Sequence, residues 1–403
     1  MPSLVLKIFS SHPVQYHVPF FRALQDAGIT IDVGYYHQGS AGRATLDRDF
    51  GIPIQWDLDL LGGYAWQIFH PGIASYSLRE QLHLLPKLLG WALCDDGMPL
   101  LLMGWFAEIV WLAWLLRVLL RRPVLMLSET TPLSFAFHPK PAWRVGLLRF
   151  LLRRTNIVLF TGQRNRQFYE SMGVKAQNLF FTPYSIDNAR FTNKAGRLAS
   201  QKAELRRAQG LDPDLPVFLF CGKLIPKKRP LELLDAYLAA GLRDKAQLLY
   251  VGDGFLHTEI EQRAAQAGAG HVCVTGFFNQ TRMPEAYVLG DLLCLLSGPD
   301  ETWGLVVNEA LACGLPVIVS DAVGCGPDLV SPANGWVVPL DDQPSLISAL
   351  AAAYEQREHW AQMGQTGMQV VATYQFTTMA QGVCDALYHI QRHQFVRMRG
   401  LGN

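Results

Sequence analysis

Short runs of apolar residues alternate with amphipathic stretches, and the alternation occurs twice along the chain. The first set opens with "LVLKIFSS" (4–11) and "ITIDVGYY" (29–36) and continues near 99–105, 123–128 and 156–161. Between the first two lies "VPFFRALQDAG" (18–28), which has helical spacing and ends on Gly28. Runs of this length without polar alternation are strands covered on both faces, and helices between them imply a mostly parallel sheet. The second set is "VFLFCG" (217–222), "AQLLYVG" (246–252), "HVCVTG" (271–276), "DLLCLLS" (291–297) and "PVIVS" (316–320). A polar stretch, 191–216, separates the two sets and reads as a connector. At 403 residues the chain is too long for one compact core. The expected domains are therefore 1–192, then 193–376 including the connector, and a long amphipathic helix from 377 returning towards the first domain. Two doubly wound domains in tandem suggest a cleft between them. In such sheets ligands bind at the carboxyl ends of the strands, so the loops there are the place to look.

Composition narrows the partners. Half of the residues are hydrophobic, 17% are charged, and the net charge is +1, which argues against a nucleic-acid partner. Seven cysteines, an odd number with no CxxC, read as reduced thiols and offer no zinc spacing. The amino-terminal residues lack the apolar core of a signal peptide. The most hydrophobic region, 98–122, is interrupted by Glu108 and Arg117, so no transmembrane helix is expected. The sequence predicts a cytoplasmic protein. Two basic, apolar helices carry arginines four apart, Arg117 with Arg121 and Arg149 with Arg153. They suit peripheral contact with an anionic membrane, or are core helices whose arginines reach out to solvent.

Charge gathers in the second set's loops. "CGKLIPKKRP" (221–230) follows a strand and places Gly222, Lys223, Lys227, Lys228 and Arg229 together, as a diphosphate requires. "YVGDGFL" (250–256) reads first as a turn around Asp253. "VTGFFNQ" (274–280) carries Phe277, a ring for a nucleobase or for packing. "SGPDETWGLVVNEALACGLPVIVSDAVG" (297–324) sets Glu301 in a loop and Glu309 on the helix that begins near Gly304. Backbone N–H groups around Trp303, Gly304 and Leu305 then lie at a helix N-terminus, which favours an anion. Carboxylates are poor partners for phosphate but good acceptors for sugar hydroxyls. The other reading makes Glu301 a favourable first-turn charge and Glu309 a surface residue.

These motifs carry a resemblance. "ETWGLVVNEALACGLPV" (301–317) is similar to the E-x-[FW]-G-L-x-x-x-E-A-x-A-x-G-x-P-V motif of retaining glycosyltransferases of family 4, of GT-B fold. "GKLIPKK" (222–228) resembles that family's G-R-L-x-x-x-K, with Lys223 at the arginine position; charge is kept and bidentate geometry is lost. The resemblance covers the second domain and implies two Rossmann-like domains facing each other across a cleft. It implies that Lys223 and Lys228 contact the donor diphosphate, Glu301 the donor sugar and Glu309 the ribose. Backbone groups from Trp303 to Val306 would help hold the sugar and phosphates. The implied reaction moves a hexosyl unit from a nucleoside-diphosphate sugar to a hydroxyl of a glycan or glycolipid, with retention, and with neither cofactor nor metal. Cell-envelope polysaccharide synthesis is the expected setting.

The acceptor is expected on the first domain. "SSHPVQYHVPF" (10–20) brings His12 and Gln15 to a strand end, "MLSETTP" (126–132) brings Glu129, and "FTGQRNRQFY" (160–169) brings Asn165. Glu129 reads equally as an acceptor-orienting carboxylate or as the partner of an arginine. Ser185 and Asn188 are weaker candidates. Two other functions stay open: a nucleotide-sugar-binding protein without turnover, and a GT-B nucleotide-sugar epimerase.

Overall fold

A computed structural model describes residues 4–41, 44–47, 50–73, 75–94 and 97–400. The chain forms two compact units. The first comprises residues up to Thr45, Leu58–Tyr184 and the chain from Phe376; the second comprises Leu46–Asp57 and Ser185–Gln375. The fold is GT-B, each unit a Rossmann-like α/β domain on a parallel sheet.

Strands β1 (Leu4–Ser10), β2 (Ile29–His37), β3 (Thr45–Asp47), β4 (Ile52–Ile54), β5 (Ala65–His70), β6 (Leu100–Met103), β7 (Val124–Leu127), β8 (Ile157–Phe160) and β9 (Leu179–Phe181) come first in the chain. Seven of them form the first unit's sheet, in the order β5-β2-β1-β6-β7-β8-β9. Every described pairing is parallel. The inner strands β1, β2, β6, β7 and β8 are buried nearly throughout, because crossover helices cover both faces, while the edge strands β5 and β9 are largely half-buried or exposed. The order reverses at β1 and β6, so the loop after β1 opens at a switch point. The helix Phe376–Gly400 packs on the helix His17–Asp26 and on β9.

The second unit continues with β10 (Val217–Cys221), β11 (Gln247–Val251), β12 (Val272–Val274), β13 (Leu292–Leu295), β14 (Val317–Ser320) and β15 (Gly335–Val338). They are ordered β12-β11-β10-β13-β14-β15, all parallel. Here β10 and β13 are the reversing pair, with Phe218 opposite Leu292 and Leu219 opposite Leu293. The paired strands β3 and β4 lie in the short segment that clusters with this unit.

Three sequence expectations change. The division falls at 184/185 rather than 192/193, and 191–216 is no connector. Its helices Asn188–Leu198 and Lys202–Ala208 are part of the second unit. Arg206 is buried, with Nη2 2.6 Å from Asp291 Oδ2 and Nε donating to the Leu289 carbonyl. Lys202 Nζ reaches the other oxygen of Asp291 at 2.5 Å. The helix Lys202–Ala208 is thus anchored by charge, while Asn188–Leu198 buries Phe191 against Tyr287.

The third change concerns Arg117. Its helix spans Glu108–Leu119, and Arg121 lies beyond the helix end with φ 55°, so the two arginines share no helix face. Arg117 is 0% exposed. Its guanidinium donates to the carbonyls of Ala92 at 2.5 Å and Pro123 at 3.0 Å, and also to Met98. One planar cation thus collects three carbonyls near the amino ends of β6 and β7. Replacement by methionine keeps the volume and strands those acceptors, so Arg117→Met should lower stability by about 3 kcal/mol in urea denaturation. A loss below about 1 kcal/mol would contradict that role.

Candidate active site

The second unit's candidate residues gather where β10 and β13 end. Strands that neighbour each other across a reversal send their following helices to opposite faces, which leaves their loops side by side. The loop after β10 carries Gly222–Arg229 and the loop after β13 carries Gly298–Gly304. Gly298 N–H donates to the Lys227 carbonyl, stitching the two together. Lys228 Nζ meets Glu301 Oε2 directly, with both side chains mostly buried at 18% and 16% exposure. Arg229 takes the left-handed conformation at φ 58° and pairs with Asp341 at 2.7 Å.

Close backbone approach makes this edge possible. Gly252, after β11, has φ 147°, and a Cβ there would stand 1.8 Å from the Gly222 carbonyl oxygen. No other residue fits. The Gly252 N–H in turn donates to the Gly276 carbonyl, so the ends of β10, β11 and β12 interlock. Asp253 belongs to a turn: its Oδ1 accepts from Gly254 N–H at 2.8 Å and lies 3.0 Å from His257 Nδ1.

The helix Leu305–Ala312 starts from Gly304, whose φ of 99° and contact with Leu295 and Val323 exclude a side chain. Gly304 occupies the cap position without a capping group, and the first-turn N–H groups of Leu305 and Val306 have no intrahelical partner by geometry. Trp303 is buried. Its Nε1 donates to Asn308 Oδ1 at 2.8 Å and its ring lies 5.9 Å from that of Tyr374. Glu309 is no surface residue: it is 1% exposed and accepts from the Tyr287 hydroxyl at 2.6 Å. Burial, and then this carboxylate, raise the thiols of Cys221 and Cys313. Glu301 and Lys228 thus face the loop edge as a pair, while Glu309 lies under the helix.

Lys223 and Phe277 meet residues the sequence reading did not single out. Asp47 holds the Lys223 ammonium with both oxygens, at 3.0 and 3.1 Å. The ring of Phe50 lies 5.0 Å from the same ammonium and 5.1 Å from the ring of Phe277, edge to face. Asp47 and Lys223 are 176 positions apart, and nothing local marks either as the other's partner.

In the first unit, the loop after β1 places His12 against His37, their rings stacked at 5.0 Å. Gly39 N–H donates to His37 Nδ1 at 3.0 Å, and His37 Nε2 lies 2.9 Å from the Tyr76 hydroxyl. Gln15 is half-buried in the same loop. Glu129 is half-buried and hydrogen-bonds the Tyr184 hydroxyl, which burial and then this carboxylate push well above the usual phenol range. Asn165 is 2% exposed: Oδ1 accepts from Thr161 N–H at 3.0 Å and Nδ2 donates to the Thr130 carbonyl at 2.7 Å. It braces the ends of β7 and β8. Ser185 is buried, and Asn188 belongs to the second unit, where Nδ2 donates to the carbonyls of Val371 and Tyr374. The polar partners His37 and Tyr76 were not legible, because a histidine ending a strand is usually structural. Among the described residues no group of three His, Cys, Asp or Glu side chains is placed to hold a metal ion.

Residues 201–370 match the family model of glycosyl transferases group 1. A D-inositol 3-phosphate glycosyltransferase of Nocardia farcinica is 27% identical over 290 residues, 68% of this chain and 62% of that protein. A GDP-mannose-dependent alpha-(1-6)-phosphatidylinositol monomannoside mannosyltransferase of Mycobacterium tuberculosis is 28% identical over 252 residues, 59% of this chain and 64% of that protein. The chain thus spans less than two thirds of the length of these relatives. Among solved structures, HepE of Anabaena in complex with UDP aligns with a TM-score of 0.70 at 16% identity, over 96% of this chain and 99% of that one. WaaG, involved in lipopolysaccharide biosynthesis, aligns with a TM-score of 0.65 at 15% identity, over 95% and 99%. Residues 201–370 are thus similar to glycosyl transferases group 1, and the solved structures share the fold.

The histidines supply a pH test. Burial, and then the charge of His12, hold both His17 and His37 at about 4, and burial lowers His12 as well. An unfolded histidine titrates near 6.5, so the folded state binds fewer protons. The stability these groups contribute is complete above about pH 6.5 and declines as the pH falls towards 4. The melting temperature should drop between pH 6.5 and 5, and His37→Gln should make that drop shallower. An unchanged slope in the variant would contradict the assignment.

Proposed function

We propose that the protein is a retaining glycosyltransferase that moves a hexosyl unit from a nucleoside-diphosphate sugar to a hydroxyl of a glycan or glycolipid. The observation that carries this reading is the Lys228–Glu301 pair at the reversing strands, beside the Gly304 helix start and within the matched residues. A lysine and a helix N-terminus suit the departing diphosphate, and a carboxylate held next to them suits a sugar hydroxyl. In the proposed reaction the bond from the anomeric carbon to the diphosphate oxygen breaks. The acceptor oxygen bonds that carbon on the same face, and its proton passes to the departing phosphate oxygen. Lys223, Lys228 and the helix start supply the positive charge, so the reaction is proposed to run without a metal. Glu309 would serve the ribose after moving from its bond with Tyr287. On the acceptor side the reading assigns His12, Gln15 and Glu129 to contacts, and Asn165 to support of the loop carrying Glu129.

The donor reading is tested by assaying transfer from a panel of radiolabelled nucleotide sugars. Lys228→Ala and Glu301→Ala should each lose about a hundredfold or more in kcat. Wild-type rates in both variants would refute it. Conversion of the donor alone, without acceptor, would favour the epimerase; tight donor binding with no turnover would favour a binding protein.

A glycolipid acceptor suits the outer face of the helix Ala142–Arg154. Trp143 is 65% exposed and Phe150 is partly exposed beside Arg149, Arg153 and Arg154, with the Arg154 guanidinium 4.1 Å over the Phe150 ring. Among the described residues no helix is long and apolar enough to cross a membrane. The proposed setting is peripheral, on the inner leaflet, in cell-envelope polysaccharide synthesis. The protein should float with vesicles containing phosphatidylglycerol at low salt and not with pure phosphatidylcholine. Trp143→Ser with Arg149→Ser should abolish flotation, and wild-type protein left unbound would remove this part of the reading.

A further inference from the structure

We propose that Asp47 is a built-in competitor for the donor's diphosphate at Lys223, so that the segment 46–57 sets donor affinity in the second unit. This inference rests on the reading that Lys223 contacts the diphosphate. The segment is tied to the carboxyl edge of the sheet at several points. Asp47 holds Lys223, after β10, with both carboxylate oxygens at 3.0 and 3.1 Å. Asn279 Nδ2 donates to the Gln55 carbonyl at 2.7 Å, and Thr281 N–H donates to the Asp57 carboxylate at 3.1 and 3.2 Å. Phe50 lies against Phe277 and over the Lys223 ammonium.

The chemistry follows from charge. An ammonium offers three donors but a single positive charge. A carboxylate taking it with both oxygens leaves little field for a second anion, and the pair is only partly screened, at 26% and 31% exposure. A diphosphate either displaces Asp47 or sits beside it against repulsion. Both routes cost affinity. The other lysine, Lys228, is paired with Glu301 from within the matched region, whereas Asp47 lies outside residues 201–370. Asp47 therefore tunes the site without belonging to the motif that makes it. Phe50 shields one side of the ammonium with an aromatic face, which accommodates the cation without supplying a negative charge.

The test is calorimetric titration of the full chain with UDP, GDP, ADP and dTDP, and with the corresponding nucleosides as controls. Asp47→Asn should bind the preferred diphosphate about three- to tenfold more tightly than wild type, with no change for the nucleoside. Asp47→Ser removes the same charge with a different side chain and should do likewise. In a Lys223→Gln background Asp47→Asn should have no effect, since the contested cation is gone. Wild-type binding with equal or weaker binding in both Asp47 variants would overturn the inference and leave the donor reading standing. A tightening that extends to the nucleosides would also overturn it, because the effect would then lie outside the phosphates. Absence of diphosphate binding in wild type and variants alike would sink the donor reading and this inference with it.

Discussion

β10 and β13 lie side by side in the second unit although a crossover, two further strands and their helices separate them in the chain. The rest of the candidate site depends on that pairing. Parallel strands need crossovers, and at a reversal the crossovers leave on opposite faces, so neither crossover helix covers the two strand ends. The loops that follow are then forced into contact, and Lys228 meets Glu301 there. Glycine controls how close they come. With any side chain at Gly252 the loops after β10 and β11 could not approach as they do, and with one at Gly304 the helix behind Glu301 could not start against Leu295. Two positions without a Cβ thus set the shape of an edge whose chemistry comes from charged side chains.

The sheets were legible because parallel strands covered on both faces are continuous apolar runs, and ten such runs stood out. Strands that escaped were of another kind. β5 reads "AWQIFH", with Gln67 and His70 breaking the run, and β9 and β15 are short edge elements. Edge strands need one good neighbour and little burial, so they leave a weak trace. The stretch 191–216 failed for the opposite reason. Its helix Lys202–Ala208 is polar in sequence but docks through Arg206 and Lys202 on Asp291, and such pairings have no periodicity to read. Arg117 makes the same point inside the first unit. An arginine four residues before another on a helix predicts a shared basic face, but the helix stops at Leu119 and the first arginine turns inward to carbonyls.

The candidate site divides along a similar line. Lys223, Lys228, Glu301 and Glu309 were legible because their spacing is fixed within one stretch of chain and its neighbour at the strand reversal. Their surroundings were not. Tyr287 over Glu309, and Asp47 with Phe50 over Lys223, come from distant segments. His37, stacked on His12, ends β2, and Tyr76, bonded to His37, comes from a separate loop. Motifs encode which groups are present; tertiary structure decides what each is already bonded to, and that second fact governs affinity.

The two units solve the problem of polar groups at a strand edge differently. In the first, most of the groups are neutral: imidazoles that burial keeps uncharged, a phenol, and an amide bracing two loops, with the single carboxylate of Glu129 accepting from the phenol. Neutral groups make directional hydrogen bonds and exert little field, which on the proposed reading suits uncharged acceptor hydroxyls. In the second, full charges stand in contact as Lys228 with Glu301 and Lys223 with Asp47. A half-buried lysine without a counter-ion would be costly in the protein alone. Pairing removes that cost, and on the proposed reading an incoming diphosphate would exchange partners rather than fill an empty field. Affinity at such an edge is a difference between two anions' attractions to the same cations. On that reading it can be adjusted by residues outside the matched motif, and Asp47 is placed to be one of them.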